Sequence, residues 1–175
     1  MAKFAAAGKT VAKKDLALQA IAYGNVYVAR VAMGANPQQT LLAFREAEAY
    51  PGPSIILSYS HCIAHGINMQ KGLHQQDQAV ASGYWPLIRY NPALRQTESN
   101  PFVLDSPRPT AKFRNYAENE LRYKLLSRTN PGQYEQLMAM AQEVVHQKWD
   151  IYEDMASRNQ HRYHPDASVK PSSER

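Results

Sequence analysis

The chain has 175 residues, 44% hydrophobic and 20% charged, a balance typical of one globular domain. This composition excludes a wholly disordered chain, a collagen-like fibre and a disulfide scaffold, and no apolar run reaches the roughly 18–20 residues of a membrane span. Because the N-terminus also lacks the apolar stretch of a secretory signal, we expect a soluble, cytoplasmic protein with no membrane partner.

The net charge of +5 lies mainly at the two ends of the chain. Residues 1–30 carry +4, residues 31–110 are neutral, residues 111–157 sum to −1, and the remainder adds +2. Proteins that bind phosphate backbones usually cluster Lys and Arg on one face or helix. Since no such cluster is visible, we expect no nucleic-acid partner.

The first predicted elements are a short helix and a buried strand. Residues 13–23 suit a helix that Gly24 ends. Residues 25–33 are apolar on both faces apart from Arg30, which is typical of a strand covered on both sides in a parallel sheet.

A capped helix and a second strand follow. Asn36 is a good N-cap and Pro37 suits the first helical position, so a helix should run to Tyr50. Its apolar residues form a stripe at helical spacing: Leu41, Phe44 and Ala47. Residues 54–60 predict a second strand buried on both faces. Strand, helix and strand in this order make a βαβ unit with a right-handed crossover.

The middle of the chain is less regular. A short helix is predicted over Gln75–Ser82, and residues 83–109 are expected to be extended or irregular. Prolines prevent a long helix there: Pro86, Pro92, Pro101, Pro107 and Pro109.

Two helices and a polar tail complete the chain. The first carries a one-turn ladder of Phe113, Ala117, Leu121 and Leu125, and the second begins at Asn130-Pro131 and reaches Tyr152. The sequence thus predicts an α/β fold: a partial parallel sheet over residues 1–110, a helical extension over 111–157 and a flexible tail over 158–175. One strand pair is a thin core, which suggests the second half of a larger domain.

Two segments should lie together beyond the carboxyl ends of the parallel strands, where ligands bind in open sheets: residues 33–36 and 60–68. The first leads into a helix N-terminus, a candidate anion site. The second contains Ser-His-Cys-Ile-Ala-His-Gly, with the single cysteine, Cys62.

Four interpretations of Cys62 remain open from the residues alone. It is a buried structural thiol, a zinc ligand together with His61, His65 or His74, a nucleophile activated by a neighbouring histidine, or an iron–sulfur ligand. Because such clusters need about four thiolates, a cluster requires cysteines from outside this chain.

Three runs of the sequence resemble pyruvate:ferredoxin (flavodoxin) oxidoreductases. They are AYGNVYVARVAMGANPQQTLLAFREAEAYPGPSIILSYSHCIAHGI, SGYWPLIRYNP and NPFVLDS. The opening, AKFAAAGKTVAKKDLALQAIAYG, is similar to the segment after the thiamine-diphosphate motif. The resemblance covers residues 2–157 and implies a C-terminal segment of the thiamine-diphosphate-binding domain.

The resemblance also implies cofactors and partners. These enzymes decarboxylate pyruvate on thiamine diphosphate with Mg²⁺, form acetyl-CoA and pass electrons through [4Fe–4S] clusters to ferredoxin or flavodoxin. Cys62 falls where the family places one ligand of the cluster nearest the thiamine, and the other ligands lie outside this chain. His61 receives no role, and no catalytic residue is assigned.

Several family motifs are absent from the sequence. It contains neither GDG…N nor an NTGGQ-like loop, and it lacks the pyruvate-binding arginine, the CoA region and the CxxCxxC module; Ser99 replaces the usual lysine before Asn100-Pro101. We therefore expect the chain alone to be inactive and to bind no cofactor, with the rest of the oxidoreductase polypeptide as its partner, and we expect a homo-oligomer. The alternative is a non-catalytic interaction protein or a split-enzyme subunit derived from that domain.

Overall fold

The computed structural model describes residues 13–97 and 99–158. The helices are α1 (Leu16–Ala22), α2 (Pro37–Ala49), α3 (Gly72–Ala81), α4 (Phe113–Ala117), α5 (Leu121–Thr129) and α6 (Pro131–Ser157). The strands are β1 (Tyr27–Val31), β2 (Ser54–Ser58), β3 (Ile88–Tyr90) and β4 (Phe102–Leu104). Within these residues no helix has both the length and the apolar character that crossing a membrane requires. The predicted tail lies, from residue 159 on, outside the described residues.

The predicted βαβ unit is confirmed. β1 and β2 pair in parallel, from Tyr27 opposite Ser54 to Val31 opposite Ser58, and α2 connects them. The Asn36 side chain accepts a hydrogen bond from the Gln39 N–H, as an N-cap does.

The sheet has four strands in the order β2-β1-β3-β4, and β3 and β4 are antiparallel to their neighbours. Residues 83–109 are extended or irregular, as expected, and two of the extended stretches pair into the sheet as β3 and β4, which the sequence did not predict. Each of these strands is three residues long, and prolines lie just outside them, where no ladder hydrogen bond is needed. Strands this short carry too little alternation to be recognised in the sequence.

The two parallel strands differ in burial. All five residues of β1 are buried, as predicted. β2 was also expected to be buried on both faces, but it is an edge strand in which Ser54, Ile55 and Ser58 are exposed. The prediction fails because β2 pairs only with β1 among the described strands.

Helix α2 turns its small and polar residues toward the sheet. Ala43 and Gln39 are buried, whereas Leu41 and Phe44 of the predicted apolar stripe are both more than half exposed. Ala43 packs against Tyr27, Ala29 and Val31 of β1. Leu41 and Phe44 therefore face outward, whereas Ala47 packs against the sheet.

The helix predicted from Phe113 to Leu125 is in fact two helices. α4 ends at Ala117, and α5 begins after Glu120, whose side chain is buried with 1% of its surface exposed. The ladder is interrupted at residues 118–120, where the Glu120 carboxylate enters the protein interior.

A buried charge network attaches the ends of the described chain to the face of the sheet opposite α2. Arg30 of β1 donates to Asp15 Oδ1 at 2.7 Å and to the Tyr152 hydroxyl at 2.9 Å, and Lys148 Nζ lies 3.2 Å from Asp15 Oδ2. Burial by itself raises the pKa of Asp15, but Arg30 first, and then Tyr152 and Lys148, hold it below its usual range. The network therefore connects α1, β1 and α6.

We expect Asp15→Asn to lower the free energy of unfolding by about 3 kcal/mol, because removing one partner leaves a buried guanidinium poorly compensated. Asparagine keeps the N-cap of α1, so the change isolates the charge. Urea unfolding measures the effect. The matched control, Glu153→Gln, removes a carboxylate from the exposed pair with Arg108 and should change little.

The pair of Asp15 with Arg30 also predicts how stability depends on pH. Since the folded pKa of Asp15 is lowered, its stabilisation is complete above the unfolded pKa of about 3.9 and is lost as the pH falls through the folded value. The difference between the parent and Asp15→Asn should thus be constant from about pH 5 to 7 and shrink below about pH 4. A difference that does not change down to pH 3 would contradict this assignment.

The exposed edge of β2 predicts self-association of the purified chain, because an apolar strand with unpaired backbone groups pairs with another chain. Ile55→Lys should reduce the association seen by light scattering across a concentration series. Ile151→Lys on α6 is the matched control, since Ile151 is 48% exposed and Ile55 38%. A parent chain that stays monomeric at high concentration would overturn the prediction.

Candidate functional site at the carboxyl ends of the parallel strands

The two loops that follow β1 and β2 meet on α3, as the βαβ unit predicts. Gln76 of α3 is buried; its Oε1 accepts from the Gly34 N–H at 2.7 Å, and its Nε2 lies 3.4 Å from His61 Nδ1. An amide nitrogen can only donate, so Gln76 Nε2 donates to His61 Nδ1. In the neutral imidazole that accepts this bond, the ring proton is on His61 Nε2. One amide side chain thus joins both loops.

At the start of α2, several of the N–H groups that an anion site would use already donate to protein atoms: Gly34 to Gln76 Oε1, Ala35 and Asn36 to the Ala32 carbonyl, and Gln39 to Asn36 Oδ1. The candidate anion site there stays a prediction.

The loop that contains Cys62 begins at a firmly held residue. Tyr59 donates its N–H to the Val31 carbonyl, and its hydroxyl lies 2.7 Å from the Tyr116 hydroxyl. Burial is the main reason why the pKa of Tyr59 is raised to about 12. The start of the loop is therefore fixed to the end of β1 and to α4.

Cys62 precedes a single 3-10 turn, Ile63–His65, and its thiol is half-buried and free. The Cys62 carbonyl accepts from the His65 N–H at 3.0 Å, which closes the turn. Gly66 ends the turn at φ +71°, and a Cβ there would lie 2.4 Å from Leu121 Cβ. Only glycine allows this approach, so the turn packs directly on the start of α5.

The ring of His65 lies between the charges of Glu120 and Arg122. Arg122 Nη1 is 3.5 Å from His65 Nε2, and Glu120 Oε2 is 3.8 Å from His65 Nδ1. Burial first, and then Arg122, lower the pKa of His65, while Glu120 opposes them. The guanidinium therefore faces Nε2 of the ring, and the carboxylate faces Nδ1.

The two histidines that flank Cys62 in the sequence, His61 and His65, therefore contact residues that hold the loop and not the thiol. His61 bonds to Gln76 and His65 contacts Arg122, and within the described residues no hydrogen bond joins either ring to Cys62. Nor do those residues contain a group of three metal-ligating side chains, so a zinc site of Cys62 with His61, His65 or His74 is not assembled. Neither the zinc nor the activated-nucleophile interpretation receives support.

Gln76, Glu120 and Arg122 were not predicted from the sequence. They lie 14, 58 and 60 positions after Cys62 and match no motif. The one local signal is the acidic pair in Glu118-Asn119-Glu120, where the helical ladder is interrupted.

No protein-family model matches the chain. Curated relatives do. The chain is 52% identical to the pyruvate-flavodoxin oxidoreductase of Nostoc sp. (strain PCC 7120 / SAG 25.82 / UTEX 2576) over 158 residues. This match covers 90% of the chain and 13% of the Nostoc protein. The chain is homologous to one segment of such oxidoreductases. This confirms the resemblance seen in the sequence.

Two other relatives show the same pattern. The pyruvate:ferredoxin oxidoreductase of Moorella thermoacetica (strain ATCC 39073 / JCM 9320) is 49% identical over 156 residues, 89% of this chain and 13% of that protein. The mitochondrial pyruvate dehydrogenase [NADP(+)] of Euglena gracilis is 40% identical over 157 residues, 89% of this chain and 9% of that protein. The segment thus spans only a small part of each relative.

We expect Gln76→Leu to loosen the Cys62 loop, because it removes the hydrogen bonds to Gly34 and His61, each worth about 1 kcal/mol. Labelling of Cys62 by a thiol reagent under native conditions should become about tenfold faster. All the labelling occurs at Cys62, because the chain has one cysteine. Gln78→Leu on the same helix is the control, and equal labelling rates for the two variants would contradict the role of Gln76.

Proposed function

We propose that this segment is the C-terminal part of the thiamine-diphosphate-binding domain of a pyruvate:ferredoxin or flavodoxin oxidoreductase, in which Cys62 supplies one ligand to the [4Fe–4S] cluster nearest the thiamine. The observation that carries the proposal is the placement of Cys62. Its half-buried thiol stands at the carboxyl end of the parallel strand pair, on a turn held by α3 and α5.

The donor set fits the cluster in part. Thiolates are the usual ligands of [4Fe–4S] clusters, and Cys62 offers one that the two nearby histidines do not engage through a hydrogen bond among the described residues. Because about four thiolates are needed, the remaining ligands must come from other polypeptide. Cys62 would then lie at an interface.

Exposed apolar side chains on the segments next to the Cys62 loop support such an interface. They are Met33, Ile63, Met69, Leu73 and Leu121. Some of these segments are in close contact, since Gly34 packs on Leu73 and Gly66 packs on Leu121. Exposed apolar surface is typical of a site that another part of a protein covers.

When bound, the cluster would carry electrons one at a time from the thiamine site toward the external acceptor. The chain's own contribution is positional. Cys62 would supply one thiolate ligand, Gln76 fixes the loop to the end of β1, and Leu121 fixes it to α5. In this way the segment gives the cluster a rigid support, as electron transfer requires a fixed geometry.

The printed names of the relatives bear on substrate and acceptor. All three enzymes are named for pyruvate, whereas their names give flavodoxin, ferredoxin and NADP⁺ as different acceptors. We therefore assign pyruvate as the substrate of the complete enzyme, and we infer that acceptor choice is made outside this segment.

A second candidate function is a non-catalytic interaction protein derived from this domain. The exposed edge of β2 is the observation that favours it. The two candidates differ in whether the segment supports cluster loading when it replaces its counterpart in a complete enzyme.

We expect Cys62→Ala to abolish one cluster signal in a chimera of the Nostoc enzyme that carries residues 13–158 of this chain in place of the homologous part, while pyruvate binding survives. Cys62→Ser should keep partial occupancy through an oxygen ligand. Electron paramagnetic resonance of the reduced proteins is the measurement, and the isolated chain should form no stable cluster on anaerobic reconstitution.

The matched control is Ile151→Ala, which truncates an exposed side chain on α6 and should leave all cluster signals intact. The ligand assignment would be refuted if the chimera with Cys62 loads no more clusters than its Cys62→Ala variant. It would also be refuted if Cys62→Ala leaves the spectrum unchanged and only lowers the stability by about 1–2 kcal/mol.

A further inference from the structure

The start of α5 presents a pair of opposite charges to the Cys62 turn. Arg122 Nε donates to Glu120 Oε2, and the same guanidinium reaches His65, whose N–H closes the turn on the Cys62 carbonyl. The ends of such a turn lie within about 7 Å of each other. Both charges therefore lie against the turn that follows Cys62.

These charges are shielded from solvent. Glu120 is 1% and Arg122 20% exposed, and the ring of Tyr123 lies 4.6 Å from the guanidinium carbon. Glu120 also accepts from the Tyr116 hydroxyl at 3.0 Å and from Gln75 Nε2 at 3.2 Å. A charge fixed in this way keeps its position and is weakly screened by salt.

The two charges act on the turn in opposite senses. Burial first, and then Arg122, lower the pKa of His65, whereas Glu120 raises it. Arg122 Nη1 lies 3.5 Å from His65 Nε2 and Glu120 Oε2 lies 3.8 Å from His65 Nδ1, so both charges lie next to a residue of the turn.

We propose that Arg122 raises, and Glu120 lowers, the reduction potential of the cluster that Cys62 ligates. This inference rests on the proposed function. On reduction the cluster gains one electron and takes up no ligand, so its net charge becomes more negative by one. A fixed cation nearby stabilises the reduced form and a fixed anion destabilises it, and cluster potentials respond to local charge and solvent exposure.

A purely structural role of the pair makes a different prediction. If Glu120 and Arg122 only held the loop, then neutralising either one would disturb the same ion pair and would change the cluster in the same direction. An electrostatic role requires opposite signs. The two single variants therefore separate the explanations without relying on activity.

The experiment is a dithionite titration of the Nostoc chimera, followed by electron paramagnetic resonance. Arg122→Gln should lower the midpoint potential, with about a tenfold fall in the ratio of reduced to oxidised cluster at a fixed potential, or about 59 mV for one electron. Glu120→Gln should raise the midpoint, and the double variant Glu120→Gln/Arg122→Gln should return toward the parent.

Two further variants complete the test. Arg122→Lys keeps the charge and should keep a midpoint near that of the parent. Arg108→Gln removes an arginine that is 75% exposed and should leave the midpoint unchanged, because solvent screens it. If Arg122→Gln does not fold, the rise in Glu120→Gln and the retained midpoint in Arg122→Lys still decide the question.

Unchanged midpoints in both single variants, or shifts of the same sign, would overturn the inference. That result leaves the proposed function standing as long as Cys62→Ala still loses the cluster. Conversely, a cluster that survives Cys62→Ala would refute the proposed function, whatever the charge variants do.

Discussion

A guanidinium on a fully buried strand sets the main constraint on this structure. Arg30 is 4% exposed and lies in β1, where a charge without partners would be too costly. Asp15, before α1, and Tyr152, on α6, supply those partners. The rings of Trp85 and Tyr152 cover the guanidinium at 5.0 and 5.6 Å. Two segments more than 130 residues apart are thereby required on one face of the sheet.

The opposite face of the sheet uses a second ion-pair network. Arg89 of β3 binds both oxygens of Asp105 at 2.8 Å and contacts Glu46 of α2, and Glu46 accepts from the Tyr27 hydroxyl. These contacts draw α2 onto the sheet by its polar and small residues. As a consequence Leu41 and Phe44 are left on the outside, where they lie available to the larger polypeptide that we propose.

The same principle operates around Cys62. The loop contributes few contacts of its own, and its position comes from Gln76 on α3 and from Gly66 and His65 against α5. In the proposed enzyme, the residues that fix the thiol also set the charge around it. The same residues would then both hold the ligand in place and set its electrostatic environment, since Arg122 contacts both His65 and Glu120.

The sequence by itself determined the βαβ unit, its capped helix and the place of Cys62 at the carboxyl end of the strands, because caps, prolines and apolar runs act over a few residues. The resemblance to oxidoreductases was likewise readable from long contiguous runs. Only the tertiary structure decided that β3 and β4 join the sheet, that α2 faces inward with Ala43, and that Gln76, Glu120 and Arg122 surround the thiol's loop. Those partners are distant along the chain, and a buried charge or amide finds its counterpart only when the elements pack, which local spacing does not encode.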